Sequence, residues 1–316
     1  MKHIKLIMYM RDNEFFNPNM VMAYEVIRSI DINMECIVFT DHSREFDHTE
    51  DFRIVNYVLA GTKYVRLLKM INEEQDDCIY VSIDNDVCVD RERFERYIIE
   101  CINKDVDFSW ARLMSQKEKG FVSKMVSVDK LLSHNVIRPL TWKLGVGLSI
   151  PGQCFVLAPK SFQRKLFEID TFLDDLALGT YISENYNSLN VYVSNAVIGY
   201  EFPNTTFRGL CKQRKRWARG FYQVLKASVG KPYFYKVCLH GFFYHGLWVL
   251  NWLIFLLCLN THGILAVVYL LIISGVITAR KKRYFLWGIV YQFIFPIFHV
   301  VWFFNLLKGD KNNGNG

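Results

Sequence analysis

No two of the eight cysteines form a C-x-x-C pair, which excludes a zinc site built on paired cysteines. Cys36, Cys78, Cys88, Cys101, Cys154, Cys211, Cys238 and Cys258 sit mostly inside apolar runs such as Cys36-Ile37-Val38-Phe39. Reduced, buried thiols in a cytosolic compartment are therefore expected, not a disulfide framework. The apolar run near the N-terminus lasts only a few residues and lacks a small-residue cleavage site, so it reads as a first strand and not a signal peptide. No internal repeat is visible, and low complexity is confined to the polar tail 308–316, expected to be disordered. The net charge of +7 comes without zinc-ligand spacing, a helix-turn-helix or an RNA-platform signature. No nucleic-acid partner is expected; the charge suits an anionic membrane surface, an anionic substrate, or both.

Apolar residues are what the chain has in excess, at 51% of 316 residues, and most of the excess lies after about Lys236. The first two-thirds alternates short apolar runs with amphipathic stretches, the pattern of an α/β domain with a mostly parallel sheet. Strands are expected at residues 4–8, 35–39, 53–57 and 78–83, with later ones at 153–157 and 190–193. Helices are expected at 18–30, 63–72 and 161–168, and residues 117–140 read as a long loop or lid. Beyond Gly230 apolar stretches run over 239–259, 264–278 and 285–307. The outer two reach the roughly 20 residues that a bilayer-crossing helix needs, and the middle one is short. Lys226, Lys231 and Lys236 precede the first stretch, and Arg280-Lys281-Lys282-Arg283 follows the second. By the positive-inside tendency both clusters face the cytosol, as does the N-terminal domain. The expected organisation is a cytosolic domain over 1–230, a membrane domain of two to three helices over 231–307, and the tail.

Three constellations carry chemistry. Asp84 and Asp86, in Tyr80-Val81-Ser82-Ile83-Asp84-Asn85-Asp86-Val87, end an apolar strand with two carboxylates one residue apart. At the carboxyl edge of a sheet such a pair suits Mg²⁺ or Mn²⁺ carrying a diphosphate, although surface turns produce D-x-D by chance. Asp174 and Asp175 open an amphipathic stretch, where helix capping explains an acid with no function needed and wins when the stretch is taken alone; the functional reading is a general base that takes a proton from an attacking hydroxyl. Gln213, Arg216 and Trp217 fall at i, i+3 and i+4, one face of a helix. Arginine there can grip a diphosphate, the amide can hold hydroxyls, and the indole offers a surface for a sugar. A basic helix lying on a membrane explains the same stretch, with Arg208, Lys212 and Arg219 nearby.

In order, these motifs resemble the family-2 inverting glycosyltransferases of the cellulose, chitin and hyaluronan synthase type, over roughly residues 4–220. The resemblance implies a GT-A, Rossmann-like nucleotide-sugar-binding domain followed by C-terminal transmembrane helices. It further implies that Asp41 holds the donor base, Asp86 with Asp84 binds the metal, and Asp175, beside Asp174, is the general base. Gln213, Arg216 and Trp217 would then bind diphosphate and acceptor. Glu14 and Lys63, from Asn13-Glu14 and Gly61-Thr62-Lys63, extend the match as substrate-binding residues. The implied activity is transfer from a nucleoside diphosphate sugar, with uracil the expected base, to a growing polysaccharide at the plasma membrane. The rival acceptor is a lipid of ceramide or polyprenyl type taking a single sugar. A non-catalytic membrane scaffold or transporter subunit is the rival from another class. Membrane lipids are expected partners, as is a second copy of the chain or a secretion partner, since three spans are few for a polymer channel. The departures are Tyr9-Met10-Arg11-Asp12-Asn13-Glu14 in place of Pro-x-Tyr-Asn-Glu, Asp174 in place of the commoner Glu, and no membrane helices before the catalytic domain.

Overall fold

The computed structural model describes residues 3–10, 17–42, 54–116, 120–166, 168–294 and 296–308. It divides into two compact units, the first formed by residues 1–116 and 150–202, the second by 117–149 and 203–316.

The first unit is built on an eight-stranded sheet. Its strands are β1 (His3–Tyr9), β2 (Glu35–Thr40), β3 (Ile54–Val58), β4 (Cys78–Asp84), β5 (Cys88–Val89), β6 (Phe108–Ser115), β7 (Cys154–Leu157) and β8 (Val191–Glu201), in the order β3-β2-β1-β4-β7-β6-β8-β5. The β3-β2-β1-β4 half is parallel, with Tyr9 opposite Asp84 and Thr40 opposite Val58. Beyond β4 the sheet is mixed. β7 runs antiparallel to both β4 and β6, whereas β6 and β8 are parallel. The expectation of a mostly parallel sheet thus holds for its N-terminal half only. β1 and β4 are buried on both faces, which is why their sequences read as near-continuous apolar runs, broken by the buried Lys5 in β1 and Ser82 in β4, and not as alternation.

Helices α1 (Pro18–Ile30), α2 (Lys63–Glu73) and α3 (Arg91–Asn103) each begin with a side chain that satisfies a free backbone N–H. Asn17 accepts from Asn19 and Met20 before Pro18, Thr62 accepts from Val65, and Asp90 accepts from Arg93. In α1 the buried residues Met20, Ala23, Tyr24, Val26 and Ile27 form one stripe against the sheet. Burying each of the larger ones contributes about 1.5–3 kcal/mol.

The structure overturns two expectations. The described residues of 161–168 do not form a helix; a 3₁₀ turn at Pro159–Ser161 gives way to turns, and Arg164 takes φ 55°. A side chain at that φ cannot continue a right-handed helix. The described residues of 117–140, from 120 onward, do not form a loop: helix α4 (Gly120–Leu132) runs through a π-helical turn at Ser133–Ile137 into α5 (Arg138–Lys143). The remaining helix of the first unit is α6 (Asp174–Glu184).

The second unit holds α4 and α5 together with α7 (Phe207–Ser228), α8 (Phe234–Gly241), α9 (Leu247–Thr261), α10 (Gly263–Thr278), α11 (Phe285–Ile294) and α12 (Pro296–Lys308). Met125, Val126, Val128 and Leu131 of α4 pack with Leu210, Ile277, Tyr284 and Tyr291. α11 approaches α10 closely, because a Cβ on Gly288 would collide with the Ser274 side chain. Two helical runs, Phe234–Thr261 and Lys282–Leu307, are long and apolar enough to cross a membrane, and Gly263–Thr278 is shorter. α9 buries none of its residues, and Leu253, Leu256 and Leu257 are each more than half exposed. A core helix of a water-soluble domain hides such side chains.

Candidate active site

The four parallel strands end along one edge of the sheet, the edge at which open α/β sheets bind ligands. Asp84 closes β4 there, and Asn85 and Asp86 form the turn that follows. The turn is tied down by the Asn17 side chain, whose amide donates to the Asn85 carbonyl at 2.9 Å. On its other side the Asp84 backbone N–H donates to the Gln153 carbonyl at 2.8 Å.

Lys63 is the hub of this edge. It is the first residue of α2, entered through Gly61, whose φ of 129° suits glycine. Thr62, the cap of that helix, is itself fixed by donating to Asp170 at 2.8 Å. The Lys63 ammonium donates to Asp84 Oδ1 at 2.8 Å and to the Gly152 carbonyl at 2.6 Å, and lies 3.4 Å from Asp174 Oδ2. The rings of Tyr9 and Phe155 lie 4.8 and 5.4 Å from it. Burial works against the Lys63 charge, but Asp174 and Asp84 outweigh it and hold its pKa above the usual lysine range. Burial lifts the Asp84 carboxyl to about 6 despite the opposing pull of Lys63, with Asp174 adding to the lift.

Asp174 and Asp175 form the first turn of α6. Neither caps the helix: Leu173 occupies that position without a side-chain hydrogen bond. The Asp175 carboxylate accepts from Leu176 N at 2.9 Å. Gly152 lets α6 approach, since a Cβ there would stand 3.0 Å from the Asp175 Cβ. Asp41, just past β2, pairs with the buried guanidinium of Arg66 on α2. Arg66 escaped the sequence reading because a basic residue on an amphipathic helix ordinarily faces solvent. Its i, i+4 relation to Thr62 and to Met70 on the apolar side of α2 was the available signal.

In the second unit α7 carries Gln213, Arg216 and Trp217. Gln213 accepts a hydrogen bond from the Asn204 amide at 3.0 Å, and Arg216 is exposed, as are Lys212 and Lys215. The buried arginine of the motif is Arg214, at 3% exposure. It donates to Asp129 of α4 at 2.8 Å, its guanidinium lies 4.5 Å from the Trp217 ring centre, and Tyr291 of α11 donates to the other Asp129 oxygen at 2.9 Å.

Residues 79–307, well over half of the chain, match the family described as glycosyl transferase family group 2. The chain belongs to that family. It is a glycosyltransferase, and its first unit has the GT-A fold. Among solved structures it is similar to the mannosyltransferase PcManGT from Pyrobaculum calidifontis, determined in complex with GDP-Man and Mn²⁺. That match has a TM-score of 0.52 at 14% identity and covers 96% of this chain and 87% of that one. It is also similar to residues 1–349 of S. aureus TarS, with a TM-score of 0.47 at 11% identity, covering 96% and 90% of the two chains. No curated protein matches it in sequence.

Within this glycosyltransferase the first unit brings Lys63, Asp84 and Asp174 into contact and sets Asp175 beside Gly152. Asp86 is exposed in the turn, two residues from Asp84, and has no hydrogen-bond or ion-pair partner among the described residues. Among the described residues no group of three or more His, Cys, Asp or Glu side chains could hold a metal ion. Two hard carboxylate donors with open coordination nevertheless fit a divalent cation whose remaining ligands are diphosphate and water. Glu14 lies outside the described residues.

Proposed function

We propose that this glycosyltransferase transfers a sugar, with inversion, from a nucleoside diphosphate sugar, UDP-linked by the match at Asp41, to a growing polysaccharide. The observation that carries this reading is the gathering of Asp84 and Asp174 around Lys63 at the carboxyl edge of the parallel strands, with Asp175 next in the chain and beside Gly152. The transferase part occupies 1–230 and faces the cytosol. The C-terminal helices anchor it in the plasma membrane, consistent with the exposed apolar side chains of α9 and with the basic clusters before α9 and after α10.

In this mechanism Asp41 accepts from the base, and Arg66 fixes the Asp41 carboxylate. Asp84 and Asp86 would hold Mg²⁺ or Mn²⁺, which when bound supplies positive charge to the diphosphate. Asp175 takes the proton from the acceptor hydroxyl as its oxygen forms the bond to the anomeric carbon. The bond to the diphosphate oxygen breaks, and the diphosphate leaves with the bonding pair. The resemblance assigns the leaving charge to Arg216 and the acceptor to Gln213 and Trp217.

Asp175→Asn keeps the shape of the side chain and removes the base. Transfer of radiolabelled sugar is expected to fall by about 10²–10⁴-fold, with donor binding retained; undiminished transfer overturns the assignment. Sizing the product separates polymer synthesis from addition of one sugar to a lipid.

A further inference from the structure

The Lys63 ammonium stands where a cation is wanted. It touches Asp84, one of the two carboxylates assigned to the metal, and is held there by the Gly152 carbonyl and by Asp174. Asp174 Oδ2 is buried and accepts no hydrogen bond among the described residues, so its nearby positive charge is this ammonium. A fixed unit charge within a few ångströms of Asp84 repels a divalent ion approaching the same carboxylate.

We propose that Lys63 is a built-in counter-cation that competes with the divalent metal for Asp84, so that the metal binds well only together with the nucleotide. The diphosphate offers the ammonium new oxygen partners, and Asp84 is freed for the ion as the charges rearrange. No bond is made or broken. The metal alone meets an occupied carboxylate and a like charge. This inference rests on the reading of Asp84 and Asp86 as metal ligands and adds an order to their use.

The test is titration of the full-length, detergent-solubilised protein with Mn²⁺, following free Mn²⁺ by electron paramagnetic resonance, with and without UDP. Wild type is expected to bind Mn²⁺ weakly alone and more tightly with UDP. Lys63→Gln is expected to bind Mn²⁺ alone about tenfold or more tightly than wild type, and to gain less from UDP. Lys63→Arg keeps the charge and is expected to behave as wild type. Asp174→Asn serves as a second variant should loss of Lys63 prevent folding. It leaves Asp84 as the carboxylate partner of the ammonium beside the Gly152 carbonyl, and weaker binding of Mn²⁺ by itself is expected. Equal Mn²⁺ affinity in Lys63→Gln and wild type, or an unchanged affinity in Asp174→Asn, overturns the counter-cation. Absence of Mn²⁺ binding to wild type even with UDP overturns the metal-ligand reading itself, and the two failures are thereby told apart.

Discussion

Replacing Arg214 by methionine should be among the most destabilising single changes in the second unit. The substitution keeps an apolar stem of similar reach but leaves the Asp129 carboxylate, 18% exposed, with Tyr291 as its remaining hydrogen-bond donor of this network. Breaking a buried pair by removing one partner costs about 3–5 kcal/mol, mostly because the surviving charge stays desolvated. The 2.8 Å separation and the near-complete burial of Arg214 place this pair in that class and not among solvent-exposed bridges worth under about 1 kcal/mol. At roughly 2–4 °C per kcal/mol for a body of this size, the melting temperature should fall by about 10 °C. Thermal unfolding in detergent, followed by tryptophan fluorescence, reads it directly. The double variant Arg214→Met with Asp129→Leu removes both charges and should regain most of the loss, since an apolar pair of similar volume needs no counter-charge. A single variant that melts within about 2 °C of wild type would refute the reasoning. So would a double variant worse than the single one.

Three further outcomes follow from the first unit. Burial alone would raise the Glu74 carboxyl, but the Tyr80 hydroxyl at 2.6 Å and the Lys5 ammonium at 2.9 Å bring it down to about 2. Its folded value lies below its unfolded one, so its contribution is present above pH ~4.5 and lost as pH falls toward 2. Melting curves across that window should therefore drop more steeply for wild type than for Glu74→Gln. Gly152→Ala puts a methyl group 3.0 Å from the Asp175 Cβ; kcat should fall about tenfold or more in a transfer assay while donor KM changes little. Arg66→Met leaves Asp41 without its guanidinium partner, and donor affinity by calorimetry should weaken about tenfold.

The parallel half of the sheet was legible because its strands are doubly buried. A run such as Cys78–Asp84 has nothing to alternate with, and its abrupt end in carboxylates marks the sheet edge. Pro18 behind Asn17 likewise announces α1. The mixed half was less legible. β6, Phe108–Ser115, and α3, Arg91–Asn103, went unassigned, since their placement depends on pairing with strands up to some 80 residues away. α4 was mistaken for a loop because its apolar positions, Val122, Met125, Val126 and Val128, are interleaved with serines. Ser123 and Ser127 are buried there, so hydroxyls lie where polarity suggested solvent. At the site, residue types and order pointed to the acids. The grouping around Lys63 depends on Gly152, a backbone carbonyl 89 residues further on, and no local pattern encodes it. The spacing from Gln213 to Trp217 points to Arg216 and leaves the burial of Arg214 unmarked. Which of them turns inward is set by Asp129, 85 residues earlier.

The division of the second unit between two stretches of chain also bears on how the molecule is made. α4 leaves the ribosome long before the helices that cover it, for Asp129 and Tyr291 are 162 residues apart. At roughly 5–20 residues per second, its apolar face waits for about 10–30 seconds before Tyr284 and Tyr291 are synthesised. During that interval Met125, Val126 and Leu131 have no partners of their own on the later helices. A nascent chain in this condition needs a chaperone or the translocation machinery to shield it. Slowing elongation after α4 should then lower the yield of folded protein more than slowing it after α10.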